Sequence, residues 1–387
     1  MRYRDSIFGH LLKPLSRRCF QSIVDRHDSD AYDKSFDSWN HLVVLVFAQL
    51  SGICGLRGLE AAFNAHSHHH YHLGVGRLHR ATLSDANRRR PAAVFAEAFA
   101  LLSQQAGRHL RGEGKAMLRL LDATPIPLDA LCEGATFNGR TRGLKLHVAY
   151  DPFADHPRDA AITPSTVNDV VVGREQPVEA GATYIFDKGY CDYAWWTRIH
   201  RAKACFVTRP KTNARYRVIK RHCPKRRAGN GFTVIDDAEV ELATQGKDKL
   251  AIPLRRIRLR RQDGSKLTLI TNDRKRSAVT IAAFYKVRWQ IELLFRWLKQ
   301  HLKLRKFLGR SQNAIRLQIM AAMIAFLLLR IAARLNRSGL AAIRFAQLVR
   351  ACLFVRKPIH RLDKPPESNP SKPKQRHCPG QMEFCYV

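Results

Sequence analysis

The sequence predicts an α/β protein whose core is a mixed sheet, preceded by an all-helical N-terminal domain and interrupted by a β-rich insertion. Apolar residues recur at helical spacing through residues 1–110. Beyond residue 115, short strands come first and helical stretches then alternate with them, which is typical of one sheet with packed helices. Residues 209–274 are polar and rich in alternating segments. With 387 residues, 45% of them hydrophobic, the chain is long enough for two or three globular domains.

The N-terminal domain, residues 1–110, is predicted to be a compact helical unit that binds DNA. Thr82 and Ser84 carry helix-cap chemistry, and three arginines from Arg88 to Arg90 then precede Pro91. A helical unit with such a basic element resembles a helix-turn-helix DNA reader, and the alternative is a helical bundle with surface arginines. The individual helices are predicted over 39–50, 56–64 and 92–110.

The catalytic core is predicted to comprise residues 115–208 and 275–340, after a linker over 111–116. Its first strand is expected to end at Asp122, and a buried strand over 183–186 to end just before Asp187. A long apolar helix over 313–335 is expected to pack behind the sheet. The other elements are predicted as strands over 144–150, 160–163 and 205–208 and a helix over 193–203.

The insertion, residues 209–274, contains a hairpin signal. Two alternating runs, 254–261 and 266–271, flank the turn at Asp263 and Gly264. The end of the chain, 357–387, is rich in proline and mixed charge, so we predict a disordered basic tail there.

The charge of the chain points to a polyanionic partner. Lys and Arg number 67 against 32 acids, which gives a net charge of +35. Nucleic acid is the natural partner for such an excess. The longest apolar run, 319–329, is too short to span a bilayer, and the first residues lack the apolar core of a secretory signal, so no membrane partner is expected. Nine cysteines without a CxxC pair indicate reduced thiols in the cytosol.

Three acids stand out by their positions. Asp122 and Asp187 each follow a predicted strand, and Glu292 lies on a predicted helix. Carboxylates at the ends of adjacent strands can converge, and a third from a packed helix would complete a set of ligands for divalent ions. Taken singly, either aspartate has the alternative interpretation of a turn former.

Four residues, Tyr285, Arg288, Glu292 and Lys299, are predicted to share one face of a helix. Their spacings from Tyr285 place them within about 60° on a helical wheel, beside an apolar stripe. Because a carboxylate holds a hard cation while Arg and Lys bind phosphate oxygens, this strip suits a metal-bound phosphate and need not face the core. The alternative is a solvated charged strip.

Other polar residues are interpreted as turn, cap or surface residues or lie near the predicted site. Asp151 before Pro152 is interpreted as a turn residue, Asp169 as the entry to a helix, and Asp192 as a helix N-cap. Lys145 lies either near the active-site phosphate or on the surface. The histidine-rich run 66–72 is interpreted as a polar loop beside nucleic acid, with transition-metal binding as the alternative.

These motifs together resemble a known family. The spacing Tyr285-x2-Arg288-x3-Glu292-x6-Lys299 resembles the Y-R-E-K signature of DDE transposases of the IS-four insertion-sequence family. Asp122-Ala-Thr124 and Asp187-Lys-Gly189-Tyr190 are similar to the motifs that carry that family's first and second acids. The resemblance also includes Lys145-Leu-His147 and the stretch 306–313, and it covers roughly residues 115–335.

The resemblance implies an RNase H-like catalytic core with the insertion between the second and third acids. It implies that Asp122, Asp187 and Glu292 hold two Mg²⁺ ions, with Mn²⁺ as a possible substitute. Tyr285, Arg288 and Lys299 would contact DNA phosphates. An aromatic side chain would stack on a flipped base, for which Trp289, Trp195 and Trp196 are the candidates, with core packing as the alternative for each.

The resemblance further implies a bacterial, cytoplasmic and nucleoid-associated enzyme that cuts DNA at terminal inverted repeats and joins it to target DNA. A homodimer is implied because two DNA ends must be paired in a synaptic complex. Two alternatives remain at this level, namely a metal-dependent RNase H-like nuclease without strand transfer and a non-catalytic DNA-binding protein.

Overall fold

The computed structural model describes residues 5–31, 33, 35–110, 116–222, 228–229, 231–242, 252–302 and 306–364. The N-terminal part is helical, as predicted, and the helices expected over 56–64 and 92–110 have the expected bounds. The N-terminal helices are α1 (Ile7–Leu12), α2 (Arg17–Arg26), α3 (Ser38–Ser51), α4 (Leu56–Asn64), α5 (His70–Leu73), α6 (Arg80–Arg89) and α7 (Ala92–Leu110).

The helix α3 is buried on all sides because it is apolar around its whole circumference. Its start is capped by Asp37, whose side chain accepts a hydrogen bond from the backbone N–H of Asn40 at 2.7 Å. It packs against α12 (Gln312–Leu335), which also packs against α7. One apolar cluster therefore runs from Ile7 through α12 to Leu362 and joins the N-terminal helices to the rest of the protein.

Within the described residues, eleven strands form one mixed sheet. Its central order is β4-β3-β1-β5-β6, in which β3 is antiparallel to β1 and β4, while β5 and β6 run parallel to β1. The predicted mixed-sheet α/β class is confirmed. The strands are β1 (Leu118–Pro127), β2 (Thr136–Phe137), β3 (Arg142–Asp151), β4 (His156–Pro164), β5 (Thr183–Phe186), β6 (Cys205–Thr208), β7 (Tyr216–His222), β8 (Ala228–Gly229), β9 (Phe232–Leu242), β10 (Leu254–Arg261) and β11 (Lys266–Thr271).

Helices cover both faces of this sheet. On one face Leu118, Leu120 and Ile126 of β1 pack in the same cluster as the later helices, and on the other face Leu121 packs with α9 (Tyr193–Arg201). The remaining helices are α8 (Asp169–Glu175), α10 (Ala278–Val287), α11 (Trp289–His301) and α13 (Ala342–Ala351).

The segment 209–274 continues the core sheet. Its last strand, β11, pairs with β6 through Ile270 and Thr208, and β10, β9 and β7 follow outward. The predicted hairpin is present, since β10 and β11 pair around a turn in which Gly264 has φ 80°.

Several predicted element bounds were wrong. The strand β1 does not end at Asp122 but runs to Pro127, because it stays paired with β3 as far as Gly143. Thr82 and Ser84 lie inside α6 rather than at its cap, which is His79. The single helix predicted to carry Tyr285, Arg288, Glu292 and Lys299 is divided at Arg288 into α10 and α11.

The predicted tail begins with an ordered stretch. A short 3-10 helix, Ile359–Arg361, buries Ile359, and Leu362 after it is also buried. Residues 365–387 lie outside the described residues, as do residues 111–115 of the predicted linker.

The helix α12 is, within the described residues, long and apolar enough to cross a membrane, although the apolar run 319–329 alone is not. However, 89% of its apolar window is buried inside the protein. We therefore interpret it as a core helix.

Candidate active site

Two of the predicted acids lie side by side on parallel strands. Leu121 of β1 is in register with Phe186 of β5, so Asp122 and Asp187, the next residue of each chain segment, lie level with each other. Neighbouring strands are about 4.8 Å apart. Leu121 and Phe186 are buried on the side of α9, and because side chains alternate along a strand, the two aspartates face the side of α10 and α11.

The third acid reaches the same place from α11. Arg288, between α10 and α11, has helical backbone angles of φ −51° and ψ −31°. Its Nη2 donates to Glu292 Oε1 at 2.5 Å, and its Nη1 lies 3.4 Å from Asp122 Oδ2. Asp122 and Glu292 thus contact the same guanidinium.

The carboxylates do not form a ready-made metal cage. Within the described residues, no group of three His, Cys, Asp or Glu side chains is arranged to hold a metal ion. The chemistry of the donors nevertheless fits a hard cation, because all three offer carboxylate oxygens. Asp187 Oδ1 is buried without a hydrogen-bond partner, and Arg209 Nη1 lies 3.9 Å from it.

The electrostatic environment of Asp122 would favour a bound cation. Burial raises the pKa of Asp122 to about 6, and the charges of Glu292 and Asp169 add to this, against the Ala123 N–H and Arg288, which lower it. A raised pKa means that the ionised carboxylate is disfavoured where it stands. A bound cation would relieve that penalty.

Lys299 lies further along the same side of α11. Its Nζ donates to Thr124 Oγ1 on β1 at 2.6 Å. Lys299 is therefore held beside β1, at Thr124, which is two residues after Asp122 on that strand.

Tyr285 does not lie on a solvated strip, which was the alternative interpretation of this helix face. It is buried, and its hydroxyl has no hydrogen-bond partner within the described residues. Burial raises the pKa of Tyr285 to about 12, and the charge of Asp187 adds to the shift while Arg288 opposes it. The Arg288 guanidinium carbon lies 5.9 Å from the centre of the Tyr285 ring, so the ring packs beside the arginine that joins the acids.

Asp169 is the residue whose interpretation from sequence was incomplete. It opens α8, as expected, but its Oδ1 also accepts from Lys145 Nζ at 2.8 Å. Its charge acts on Asp122, and its Oδ2 lies within 3.8 Å of the place where a Cβ on Gly189 would be, in the turn after Asp187. The sequence signal for this role of Asp169 was the Lys145-Leu-His147 motif. A partly buried lysine near the site needs an anionic partner, and Asp169 is that partner.

The other aspartates considered from sequence serve the fold. Asp192 caps α9 by accepting from the Trp195 N–H at 2.7 Å, as predicted. Asp151 forms the predicted turn, with Oδ1 accepting from Phe153 N–H at 3.0 Å, and its Oδ2 also pairs with the buried Arg119 at 3.1 Å.

The tryptophans differ sharply in exposure. Trp289 is 51% exposed at the start of α11, and the Arg296 guanidinium lies 5.7 Å from its ring. Trp195 and Trp196 are buried, and they pack against Phe186 and Phe206 with ring centres 4.9 and 4.6 Å apart. Core packing therefore accounts for Trp195 and Trp196, and Trp289 alone of the three is exposed.

The basic elements of the N-terminal helices are also divided. Arg90 is buried and pairs with Asp33 at 2.5 Å, so it serves the fold, whereas Arg88 and Arg89 are exposed. The histidine run is not a loop, because it forms a 3-10 turn and α5. His66 stacks on Phe354 with ring centres 4.0 Å apart.

Comparison with known proteins identifies the family. The Transposase DDE domain family matches residues 113–328, more than half of the chain, and a domain of unknown function, DUF4372, matches residues 3–76. A Sinorhizobium fredii protein named as a transposase, y4zB, is 60% identical over 305 residues, 79% of this chain and 86% of that protein. A Geobacillus stearothermophilus protein named as the transposase for insertion sequence element IS5377 is 30% identical over 263 residues, 66% of this chain and 68% of that protein.

A solved structure shows a weaker likeness. A piggyBac transposase synaptic complex with hairpin DNA aligns with 95% of this chain and 81% of its own, at 10% identity and a TM-score of 0.48. The matched segment 113–328 contains Asp122, Asp187 and the four residues of the predicted signature, although the signature itself stays a prediction. On the family match and the identity to y4zB, the chain belongs to the DDE transposases, and it is an enzyme that acts on DNA.

Proposed function

We propose that this transposase cleaves DNA at the ends of an insertion sequence and transfers the freed 3′ ends to target DNA by in-line phosphoryl transfer, in a cut-and-paste reaction. The observation that supports the proposal is the placement of three acids that are far apart along the chain. Asp122 and Glu292 share the Arg288 guanidinium, and Asp187 lies level with Asp122 on the adjacent strand.

The DDE transposase domain implies the use of divalent metal in general. For this chain we propose Mg²⁺, with Mn²⁺ as a substitute, held as two ions by Asp122, Asp187 and Glu292. When bound, such ions activate a water or a 3′-hydroxyl and stabilise the leaving oxygen.

The cationic residues of the site would bind and orient the DNA backbone. Arg288 and Lys299 lie on the same side as the acids and would grip phosphate oxygens. The buried Tyr285 hydroxyl would donate to a phosphate oxygen that enters beside Asp187. Trp289, which is exposed, would stack on an unpaired base.

The partners follow from the reaction. We propose terminal inverted repeats and target DNA as the ligands and a homodimer as the assembly that pairs two ends. The N-terminal helices, with Arg88 and Arg89 exposed on α6, are proposed to contact DNA. A bacterial, cytoplasmic and nucleoid-associated location is proposed on the same grounds.

The test uses the full chain and a plasmid that carries the inverted repeats flanking the gene. With Mg²⁺ the protein should nick the DNA at the repeat ends, and Asp187→Asn or Glu292→Gln should abolish nicking while DNA binding is retained. Asp263→Asn, the same change in the exposed β10–β11 turn, is the matched control and should cleave normally.

The outcomes separate the alternatives. Cleavage that depends on the acids but gives no joined product would indicate a nuclease without strand transfer. Binding with no acid-dependent cleavage at all would refute the proposed reaction and leave a DNA-binding protein.

A further inference from the structure

The Arg288 side chain lies where a cation would be needed between two of the acids. Its guanidinium contacts Glu292 at 2.5 Å and Asp122 at 3.4 Å, and the side chain is only 19% exposed. The guanidinium therefore occupies oxygens of both carboxylates that a cation bound between Asp122 and Glu292 would require.

The local structure fixes Arg288 in this position. It stands at the one-residue break between α10 and α11, and its backbone N–H bonds to the Tyr285 carbonyl at 3.1 Å. The Tyr285 ring lies 5.9 Å from its guanidinium carbon. Glu292 is one helical turn away, so the Arg288–Glu292 pair forms within one segment of chain without any ligand.

The same guanidinium suits a second anion. Arginine binds phosphate with a geometry equal to that for carboxylate, through paired N–H donors. A DNA phosphate that reaches the site could therefore satisfy Arg288 in place of Asp122 and Glu292. The two carboxylates would then be free, partly buried and close together, a state that favours capture of a divalent cation.

We propose that Arg288 closes the metal site in the free protein and that DNA opens it by drawing the guanidinium onto a backbone phosphate. This inference rests on the proposed function, because it takes Asp122 and Glu292 as metal ligands. It makes metal binding and DNA binding mutually reinforcing. By linkage, each ligand raises the affinity for the other by the same factor.

The first experiment measures Mn²⁺ binding to the full chain without DNA, by the electron paramagnetic resonance signal of the free ion. Wild type should bind weakly, and Arg288→Gln should bind about tenfold more tightly, within the usual range of coupling. Lys299→Gln is the matched control, because it removes the same charge from the same side of α11 while Arg288 keeps its contacts with Asp122 and Glu292. It should change Mn²⁺ affinity much less.

The second experiment measures the affinity for a duplex ending in a 3′-hydroxyl at the repeat end, which leaves no bond to cut, with Mn²⁺ or with EDTA. Mn²⁺ should tighten binding to wild type by about tenfold, and this effect should vanish in Arg288→Gln. Should Arg288→Gln fail to fold, Arg288→Lys replaces it, since an ammonium keeps the charge but lacks the fork that contacts two carboxylates.

The results distinguish this inference from the proposed function. Equal Mn²⁺ affinities for Arg288→Gln and Lys299→Gln without DNA, alongside cleavage that depends on Asp187 and Glu292, would overturn the inference alone. If wild type shows no cleavage that Asp187→Asn or Glu292→Gln abolishes, the proposed function is overturned, whatever the binding data show.

Discussion

Two buried arginines of this protein show how a structural ion pair differs from one in an active site. Arg255 on β10 binds Asp237 on β9 through two parallel contacts of 2.8 and 2.7 Å, and its remaining nitrogen donates to the Arg276 carbonyl at 2.6 Å. Arg288 instead divides its contacts between two acids, at 2.5 and 3.4 Å.

The difference lies in what each group leaves unsatisfied. The Arg255–Asp237 pair is saturated by the protein itself, so it needs nothing from outside and holds two neighbouring strands together. Around Arg288, by contrast, Asp122 carries a raised pKa, and Asp187 Oδ1 has no hydrogen-bond partner among the described residues. This incomplete satisfaction is the reason why we propose that a cation and a DNA phosphate bind here.

The largest expected effect breaks the saturated pair. Arg255→Met should lower the free energy of unfolding by about 3–5 kcal/mol, because it leaves Asp237 buried and uncompensated. Urea denaturation measures this, with Arg217→Met as the control. The Arg217–Glu241 pair is exposed, so its loss should cost much less than the loss of the buried pair. Equal losses in the two variants would contradict the comparison.

The second prediction concerns pH and the unsatisfied acid. The folded-state pKa of Asp122, about 6, exceeds the ordinary aspartate value of 3.8, so the folded state binds more protons between these values. The free energy of unfolding therefore falls as pH rises from about 4 to about 6. In metal-free protein Asp122→Asn should be more stable than wild type by about 3 kcal/mol at pH 7.5, and the gain should disappear at about pH 4.

The same denaturation series contains its own control. Asp237→Asn should lower stability at pH 7.5, because Arg255 loses its partner. A gain from Asp122→Asn that is the same at both pH values would show that the charge of Asp122 is not its cause.

A third prediction tests the Lys145–Asp169 pair beside the proposed catalytic aspartates. Asp169→Asn and Lys145→Met should each slow cleavage by about tenfold, or about 1.4 kcal/mol, and the double variant should be no slower than either. DNA affinity should stay unchanged. Arg174→Met is the control. Arg174 lies near the other end of α8 and pairs with Asp192, and its replacement should leave cleavage at the wild-type rate. Additive losses would mean that Asp169 and Lys145 act separately.

The smallest expected effect concerns a single phosphate contact. If Lys299 binds DNA, log affinity should fall linearly with log salt, and Lys299→Gln should reduce that slope by about one. Fluorescence anisotropy at several salt concentrations measures it. An unchanged slope would remove Lys299 from the proposed DNA contacts.

Local patterns in the sequence were sufficient for much of this protein. The helix over 92–110 and the strands over 205–208, 254–261 and 266–271 have their predicted bounds, because amphipathic period and turn residues act within a few neighbours along the chain. The positions of Asp122 and Asp187 after predicted strands, and of Glu292 on a predicted helix, made them candidates, and the resemblance of their motifs to those of DDE transposases indicated the family.

Tertiary structure alone decided how these residues meet. The strand β1 continues past Asp122 because β3 pairs with it from across the sheet, and Tyr285 is buried because α10 packs against the sheet and α12. Asp169 is paired with Lys145 on a third strand, and Arg288 stands between Asp122, which lies 166 residues before it, and Glu292, which lies one helical turn after it. Periodicity records which face a residue occupies on its own element, whereas partners from distant segments, and the burial they impose, are set only when the elements pack.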